Sequence, residues 1–224
     1  MLAFDTSGAA CSAAVLRDGA VAARRFAAMA RGQAEALMPM IDAVLAEAGT
    51  TVEALDLVAV TTGPGAFTGL RIGLAAARGL ALAADLPLLG ITSFAAVAAE
   101  ATPAGAGRTL VVALDSKRRE FYLQAFAGET PQGEGALVAP EDVAAFLPPG
   151  PLLLAGDAAP ALARLPALAG RGLALAEGPG LPDPAVVARL AARRWQPGMR
   201  PPLPRPLYLR PPDTTTPRRR AGAP

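Results

Sequence analysis

The sequence predicts an α/β protein of two lobes, each built on a sheet that begins with a short buried strand. Three observations lead to this prediction. The chain has 224 residues, enough for two lobes of about 100 residues each. Apolar runs of strand length alternate with longer runs of helical period. Residues 2–7 and 112–117 both carry an apolar strand into an aspartate followed by a hydroxyl, which suggests an internal duplication facing across a cleft.

Residues 1–103 are predicted to form the first lobe. Asp18-Gly19, between two apolar runs, is a two-residue hairpin signal. Pro39 is expected to start or kink the first helix and Gly49 to close it, while Ser93 is expected to cap the third. The strands are predicted at Leu2 to Asp5, Cys11 to Arg17, Ala20 to Ala27, Leu55 to Thr62 and Pro87 to Ile91, and the helices at Gln33 to Ala48, Thr68 to Ala84 and Ser93 to Ala101.

Residues 104–210 are predicted to form the second lobe, after a linker-like stretch at 102–107. Asp183-Pro184 is a well-formed cap and first residue for a helix to Trp195. The strands are predicted at Thr109 to Asp115, Glu120 to Phe126, Leu137 to Ala139 and Leu152 to Ala155, and two further helices at Pro140 to Phe146 and Asp157 to Leu165. Residues 211–224, rich in proline and arginine, are expected to be a disordered tail.

A glycine-rich hinge at 63–73 is the most informative segment of the chain. Gly63 and Gly65 allow unusual backbone angles between a buried strand and a helix, and Thr68 is placed to cap that helix. Gly69 and Gly73 lie one helical turn apart, which predicts a smooth strip against which another helix packs. The spacing fits neither standard phosphate-loop pattern.

Composition excludes several classes of functional site. The chain has no histidine and one cysteine, so histidine-dependent triads, His-ligated metals, cysteine-rich zinc sites and disulfide scaffolds are excluded. A net charge of +2 is too small to indicate nucleic-acid binding by the whole molecule. Charged residues or prolines interrupt every long apolar stretch, as Arg78 and Asp85 do, so we expect no membrane span and a cytoplasmic protein.

The two strand ends suggest a site for magnesium and phosphate. Asp5 and Asp115 at paired strand ends would hold the ion or its waters, and Thr6 and Ser7 would contact phosphates. The alternative is that each aspartate only ends its strand and caps a turn.

Taken together, the motifs resemble the TsaB (YeaZ) family, which is related to TsaD and the glycoprotease-like enzymes. The resemblance spans almost the whole chain, and the 63–73 segment is highly specific. The matching motifs are Leu2-Ala3-Phe4-Asp5-Thr6-Ser7, the segment from Gly63 to Gly73, Ala77-Arg78-Gly79-Leu80-Ala81, Val112-Ala113-Leu114-Asp115, Glu120-Phe121-Tyr122 and Pro206-Leu207-Tyr208-Leu209-Arg210. Ser116 and Lys117 replace the alanine and arginine that are common in the family.

The resemblance implies a two-lobed fold of the actin, sugar kinase and Hsp70 type (ASKHA), with duplicated ribonuclease H-like mixed sheets and flanking helices. It implies a non-catalytic subunit that supports the TsaD transferase, which adds a threonylcarbamoyl group to the tRNA adenine next to the anticodon. The ATPase TsaE joins the complex, tRNA is bound through the complex, and homodimers form through the surface used for TsaD. This chain then requires no cofactor, and any ATP, ADP or magnesium belongs to the complex.

The resemblance also implies that catalytic and metal residues are absent. TsaD-type enzymes hold a metal with two histidines on the first long helix, where this chain has Gln33 and Leu37. We therefore expect the first helix and the 68–84 helix to form an interface with TsaD. The residues expected there are Gln33, Leu37, Ile41, Leu45, Gly69, Arg71, Gly73 and Arg78.

Two enzymatic alternatives compete with this interpretation. A nucleotide-dependent kinase or ATPase of the same superfold would use Asp5 and Asp115 around magnesium, but no catalytic base or adenosine loop is identified. A peptidase would need a histidine, a serine elbow or a metal set, all of which the sequence lacks.

Overall fold

Two five-stranded sheets organise the computed structural model, which describes residues 1–101 and 107–210. The strands of the first sheet are β1 (Leu2–Asp5), β2 (Ala10–Arg17), β3 (Ala20–Ala28), β4 (Val58–Thr61) and β5 (Leu88–Ile91). Those of the second are β6 (Thr109–Asp115), β7 (Phe121–Ala127), β8 (Thr130–Val138), β9 (Leu152–Ala155) and β10 (Leu173–Leu175). The predicted linker at 102–107 lies mostly outside the described residues, and the predicted tail at 211–224 lies wholly outside them.

The duplication predicted from the two strand ends is present in the sheet topology. The first sheet has the order β3-β2-β1-β4-β5 and the second the order β8-β7-β6-β9-β10. In each, the first three strands form antiparallel pairs and the last two add in parallel. Strands β1 and β6 therefore occupy equivalent central positions, and Asp5 and Asp115 end them.

Within residues 1–101 and 107–210, six helices cover the sheets: α1 (Gln33–Glu47), α2 (Phe67–Ala83), α3 (Ser93–Ala101), α4 (Val143–Phe146), α5 (Ala159–Ala163) and α6 (Pro184–Arg194). Because side chains alternate along a strand, each sheet has two faces. Helices α1 and α2 cover the face of the first sheet that contains Leu2 and Phe4, and α6 covers the face that contains Ala3. Helix α3 lies between the two sheets, with Ala96 in the core of the first lobe and Phe94 against the second sheet.

Helix α6 differs from its expected position. The boundary at residue 103 assigns it to the second lobe, yet Val187, Ala188 and Ala191 are buried against the first sheet. Its apolar stripe matches the open face of that sheet, which α1 and α2 leave uncovered. The first lobe is thus completed by a segment that follows the second lobe in sequence.

Several boundaries also differ from the predictions. Strand β8 is longer than predicted, because Gly133 and Gly135 interrupt the alternation of apolar and polar residues that indicates a strand. Strand β10 was not predicted. Helix α2 starts after Ala66 with no side-chain cap, so the capping role predicted for Thr68 is wrong. At α3 the Thr92 hydroxyl, rather than that of Ser93, accepts from the Ala95 amide. No helix within 1–101 or 107–210 is long and apolar enough to cross a bilayer.

The predicted cap of α6 is confirmed and gives a first testable expectation. Asp183 accepts hydrogen bonds from the amides of Ala185 (2.8 Å) and Val186 (3.4 Å), and it also pairs with Arg24 of β3. Replacing Asp183 by alanine should lower the free energy of unfolding by about 1–2 kcal/mol. Asp142→Ala is the matched control, because Asp142 precedes α4 without making a side-chain cap. If urea titrations show that both variants lose the same free energy of unfolding, the assignment of Asp183 as the cap of α6 is wrong.

Candidate functional site

The cleft between the two central strand ends is the site predicted from the sequence. Ser7 and Asp115 both line it, together with Ser93, Lys117 and Leu181. Asp5 and Thr6 do not line it; they lie behind it and are almost wholly buried. The structure therefore brings the two strand ends together but presents only half of the predicted residues to the cleft.

Asp5 is enclosed by the first lobe. Its Oδ1 accepts from the backbone amide of Ser7 at 2.9 Å and from the Thr61 hydroxyl. Its Oδ2 is buried and has no hydrogen-bond partner in the described residues. Burial, only partly opposed by these hydrogen bonds, raises the pKa of the Asp5 carboxyl above its usual 3.8.

This burial predicts a specific dependence of stability on pH. A carboxyl whose pKa is raised by folding stabilises the native state below its unfolded pKa, and that contribution is lost as pH rises through the folded value. Asp5→Asn should therefore gain stability relative to the wild-type protein as pH increases above about 4. Urea unfolding at a series of pH values measures the difference. A difference that stays constant with pH would refute the buried-acid assignment.

Thr6 and Ser7 have their hydroxyls engaged within the protein. The Thr6 hydroxyl donates to the carbonyl of Gly69 at 2.7 Å, and the hydroxyls of Ser7 and Ser93 are 3.0 Å apart. The carbonyl of Ser7 accepts from the amide of Ala66 at 2.7 Å. These groups join β1 to the α2 and α3 entry turns.

Asp115 is paired on the other side of the cleft. Its carboxylate accepts from the amide of Lys117 at 2.6 Å and lies 2.8 Å from the Lys117 ammonium. Lys117 has a φ of 61°, a backbone conformation uncommon for a residue with a side chain. Asp157 accepts from the amide of Asp115 at 2.9 Å, and burial raises the pKa of the Asp157 carboxyl. The Asp115 carboxylate therefore already has a cationic partner at the edge of the cleft.

The cleft is narrow in this structure. It encloses about 10 Å³, roughly the space of one water molecule. Leu181 fills it from the segment that leads into α6, and a Cβ added at Gly8 would lie 2.7 Å from the Leu181 side chain. Within the described residues no group of three or more His, Cys, Asp or Glu side chains is arranged to hold a metal. The phosphate and magnesium roles predicted for Asp5, Thr6, Ser7 and Asp115 stay a prediction, of which Ser7 and Asp115 line the cleft and Asp5 and Thr6 are buried behind it.

Two contributors to this cleft were missed by the sequence-based prediction. Asp157 comes after β9 and Gly156. It repeats the pattern of an apolar strand that ends at an aspartate, so the sequence contained a signal that could have predicted it. Leu181 has no comparable signal, because only the tertiary path of the 178–183 segment places it there.

The predicted partner interface needs a larger correction. Five of its residues are buried in this chain's own core and cannot touch a partner: Leu37, Ile41, Leu45, Gly69 and Gly73. The apolar stripe of α1 packs on the first sheet. The two glycines face the end of β1, where an added Cβ would lie 2.0 Å from the Thr6 carbonyl oxygen and 2.7 Å from its hydroxyl, respectively. The close packing predicted for these glycines is real, but it is internal.

Gln33, Arg71 and Arg78, the remaining predicted interface residues, are each engaged within the chain. Gln33 donates to the carbonyl oxygens of Met29 (3.2 Å) and, at a long 3.4 Å, Gly8. Arg78 donates to the carbonyl of Pro204 at 2.7 Å. Arg71 stacks 3.6 Å from the ring centre of Phe67 and donates to the Tyr208 hydroxyl at 3.2 Å. Both arginines thus hold the 203–210 segment against α2.

The outward side of α2 is apolar and has no covering element in the described structure. Ala75, Gly79 and Leu82 are exposed and recur at the spacing of one helix face. Leu82 is 85% exposed, and a Cβ added at Gly79 meets nothing within 4 Å. On neighbouring α1, Met38 is also exposed. We call Ala75, Gly79 and Leu82 the α2 outer face.

Comparison with known proteins identifies the family. YeaZ from Pseudomonas aeruginosa superposes with a TM-score of 0.78 at 30% sequence identity, covering 93% of this chain and 98% of that one. The chain belongs to the TsaB (YeaZ) family. The chain is also 36% identical over 122 residues to the tRNA threonylcarbamoyladenosine biosynthesis protein TsaB of Escherichia coli, an alignment that spans 54% of this chain and about half of that relative (52%).

Two further similarities relate the chain to larger groups of proteins. Residues 27–155, more than half of the chain, match the family model for TsaD, tRNA N6-adenosine threonylcarbamoyltransferase. Component A of (R)-2-hydroxyglutaryl-CoA dehydratase from Acidaminococcus fermentans shares the fold alone, with a TM-score of 0.51 at 12% identity over 87% of this chain and 98% of that one. The predicted architecture of two mixed sheets with flanking helices is thereby confirmed.

Proposed function

We propose that this TsaB chain is the non-catalytic subunit of the complex that transfers a threonylcarbamoyl group to the tRNA adenine beside the anticodon. In this role it supports and activates the transferase TsaD, with TsaE and tRNA joining through the assembled complex in the cytoplasm. The name of the E. coli relative and the match to the transferase family model support the pathway.

The α2 outer face is the observation that carries the proposal. An apolar helix face without a covering element, rimmed by charged residues such as Arg71 and Arg78, has the composition of a protein interface. Gly79 allows a partner helix to approach the α2 backbone closely, since nothing of this chain occupies the space above it. We assign this face, together with Met38, to the contact with TsaD or, without TsaD, with a second copy of the chain.

The closed cleft supports the non-catalytic part of the proposal. The polar groups that line or back it are mostly paired with one another, and the cavity has no room for a substrate. The same features weigh against the kinase or ATPase alternative, which needs a bound nucleotide beside Asp5 and Asp115. No observation favours the peptidase alternative.

Reconstituted tRNA threonylcarbamoylation tests the proposal. The reaction contains the synthase that makes threonylcarbamoyl adenylate, TsaD, TsaE and tRNA, with this protein added or omitted. Product should form only when it is added, and none should form when TsaD is left out. Equal product without this protein would reject the supporting role. ATP turnover by the isolated chain that Asp5→Asn abolishes would reject its non-catalytic character.

A further inference from the structure

A groove on the other side of the first sheet is separate from both the cleft and the α2 outer face. It has a volume of about 420 Å³ and is formed by β2 and its turn, α3, α6 and the β7–β8 turn. The residues that line it include Ala99, Glu129, Val186, Arg189, Ala192 and Arg193. Since α6 and α2 cover opposite faces of the sheet, a ligand here would not compete with a partner on α2.

The floor of the groove is an extension of the core to the surface. Ala99, Val186 and Ala192 are only partly buried and pack against the core that α6 forms with the first sheet. Leu16 lies beneath them. Apolar side chains from a partner would therefore continue an existing hydrophobic cluster and remove its last exposed members from water.

The rim of the groove carries arginines that suit carboxylates. Arg189 and Arg193 lie one turn apart on α6, so their side chains are neighbours. Arg193 already binds a carboxylate in a two-pronged ion pair with Glu129 of the β7–β8 turn, at 2.8 and 3.3 Å. Arg189 is exposed and has no ion-pair partner in the described part of the chain. The pair with Glu129 shows that a carboxylate fits this rim, and Arg189 offers a second, vacant position of the same kind.

We infer that this groove docks an acidic amphipathic segment of a partner protein, with apolar side chains on the Ala99–Val186–Ala192 floor and a carboxylate on Arg189. The open shape of the groove and its two arginines one turn apart fit a peptide with carboxylates at a matching spacing. A second partner carboxylate would compete with Glu129 for Arg193.

Fluorescence anisotropy with a fluorescein-labelled amphipathic peptide of leucine and glutamate tests the inference on the full chain. Wild-type protein should bind it saturably, and a leucine and lysine peptide should not bind. Arg189→Glu should weaken binding about tenfold or more, and Glu129→Gln should strengthen it by freeing Arg193. Arg194→Glu is the matched control, because Arg194 is equally exposed on α6 but does not line the groove.

Three results would overturn the inference. The first is no saturable binding by the wild-type protein. The second is equal weakening by Arg189→Glu and Arg194→Glu, which would indicate only a general attraction of opposite charges. The third is loss of a homodimer in Arg189→Glu, seen by light scattering, without any peptide binding; this would assign the groove to a second copy of the chain. Far-ultraviolet circular dichroism confirms that each variant is folded.

Discussion

Alanine at Gly69 should lower the free energy of unfolding of this TsaB chain by about 3 kcal/mol or more. The added Cβ would lie 2.0 Å from the backbone carbonyl oxygen of Thr6, which cannot move aside as a flexible side chain could. That carbonyl belongs to the segment that follows β1 in the centre of the first sheet. To relieve this clash, α2 must shift away from β1, and that shift disturbs the core between them. Urea unfolding followed by circular dichroism measures the loss.

Gly79→Ala is the matched control on the same helix. A Cβ at Gly79 meets nothing within 4 Å, so the substitution only improves helix propensity. It should raise the free energy of unfolding by about 0.5–1 kcal/mol. If the two alanine variants change stability in the same direction, the close contact between α2 and the end of β1 is not as the structure places it.

Arginine at Gly79 should disrupt the proposed association with TsaD while leaving the chain folded. The position is exposed and open, so the side chain fits the free protein, but it would project a charge from the centre of the α2 outer face. Disrupting a hot spot at the centre of an interface costs about 2 kcal/mol or more of binding free energy. We therefore expect the TsaD affinity to fall at least about thirtyfold. Isothermal titration with TsaD measures the affinity.

Ala144→Arg controls for the added charge. Ala144 is exposed on α4 in the second lobe, away from the α2 outer face, and arginine there should leave the affinity unchanged. Unaltered TsaD binding by Gly79→Arg would move the interface elsewhere on the chain and remove the main support for the proposed function.

Local sequence signals predicted the parts of the fold that neighbouring residues determine. Asp18-Gly19 forms the tight turn of the β2–β3 hairpin, with φ of 49° and 78° at its two residues, as its composition requires. The Asp183 cap and the two strands that end at Asp5 and Asp115 were equally readable. The sheet on which α6 packs could not be predicted, because an apolar stripe shows that one face of a helix is covered but does not show which sheet covers it.

The same limit explains the errors in the predicted sites. Gly69 and Gly73 signalled a close approach of backbones, but a missing side chain does not identify what approaches. The stripe containing Leu37 and Ile41 likewise showed a buried face of α1 without distinguishing an internal core from a partner. At Asp5 the sequence showed a carboxylate at a strand end, while its complete burial depends on residues up to Thr61, far along the chain.

The return of α6 to the first sheet has a consequence for synthesis on the ribosome. When residues 1–101 have emerged, one face of the first sheet still lacks the helix that buries Ala3 and Ala59. The nascent lobe must keep this apolar surface exposed, or shielded by chaperones, while the second lobe is translated. Completion of the first lobe is therefore a late event, set by the emergence of α6 and of the 203–210 segment that α2 holds.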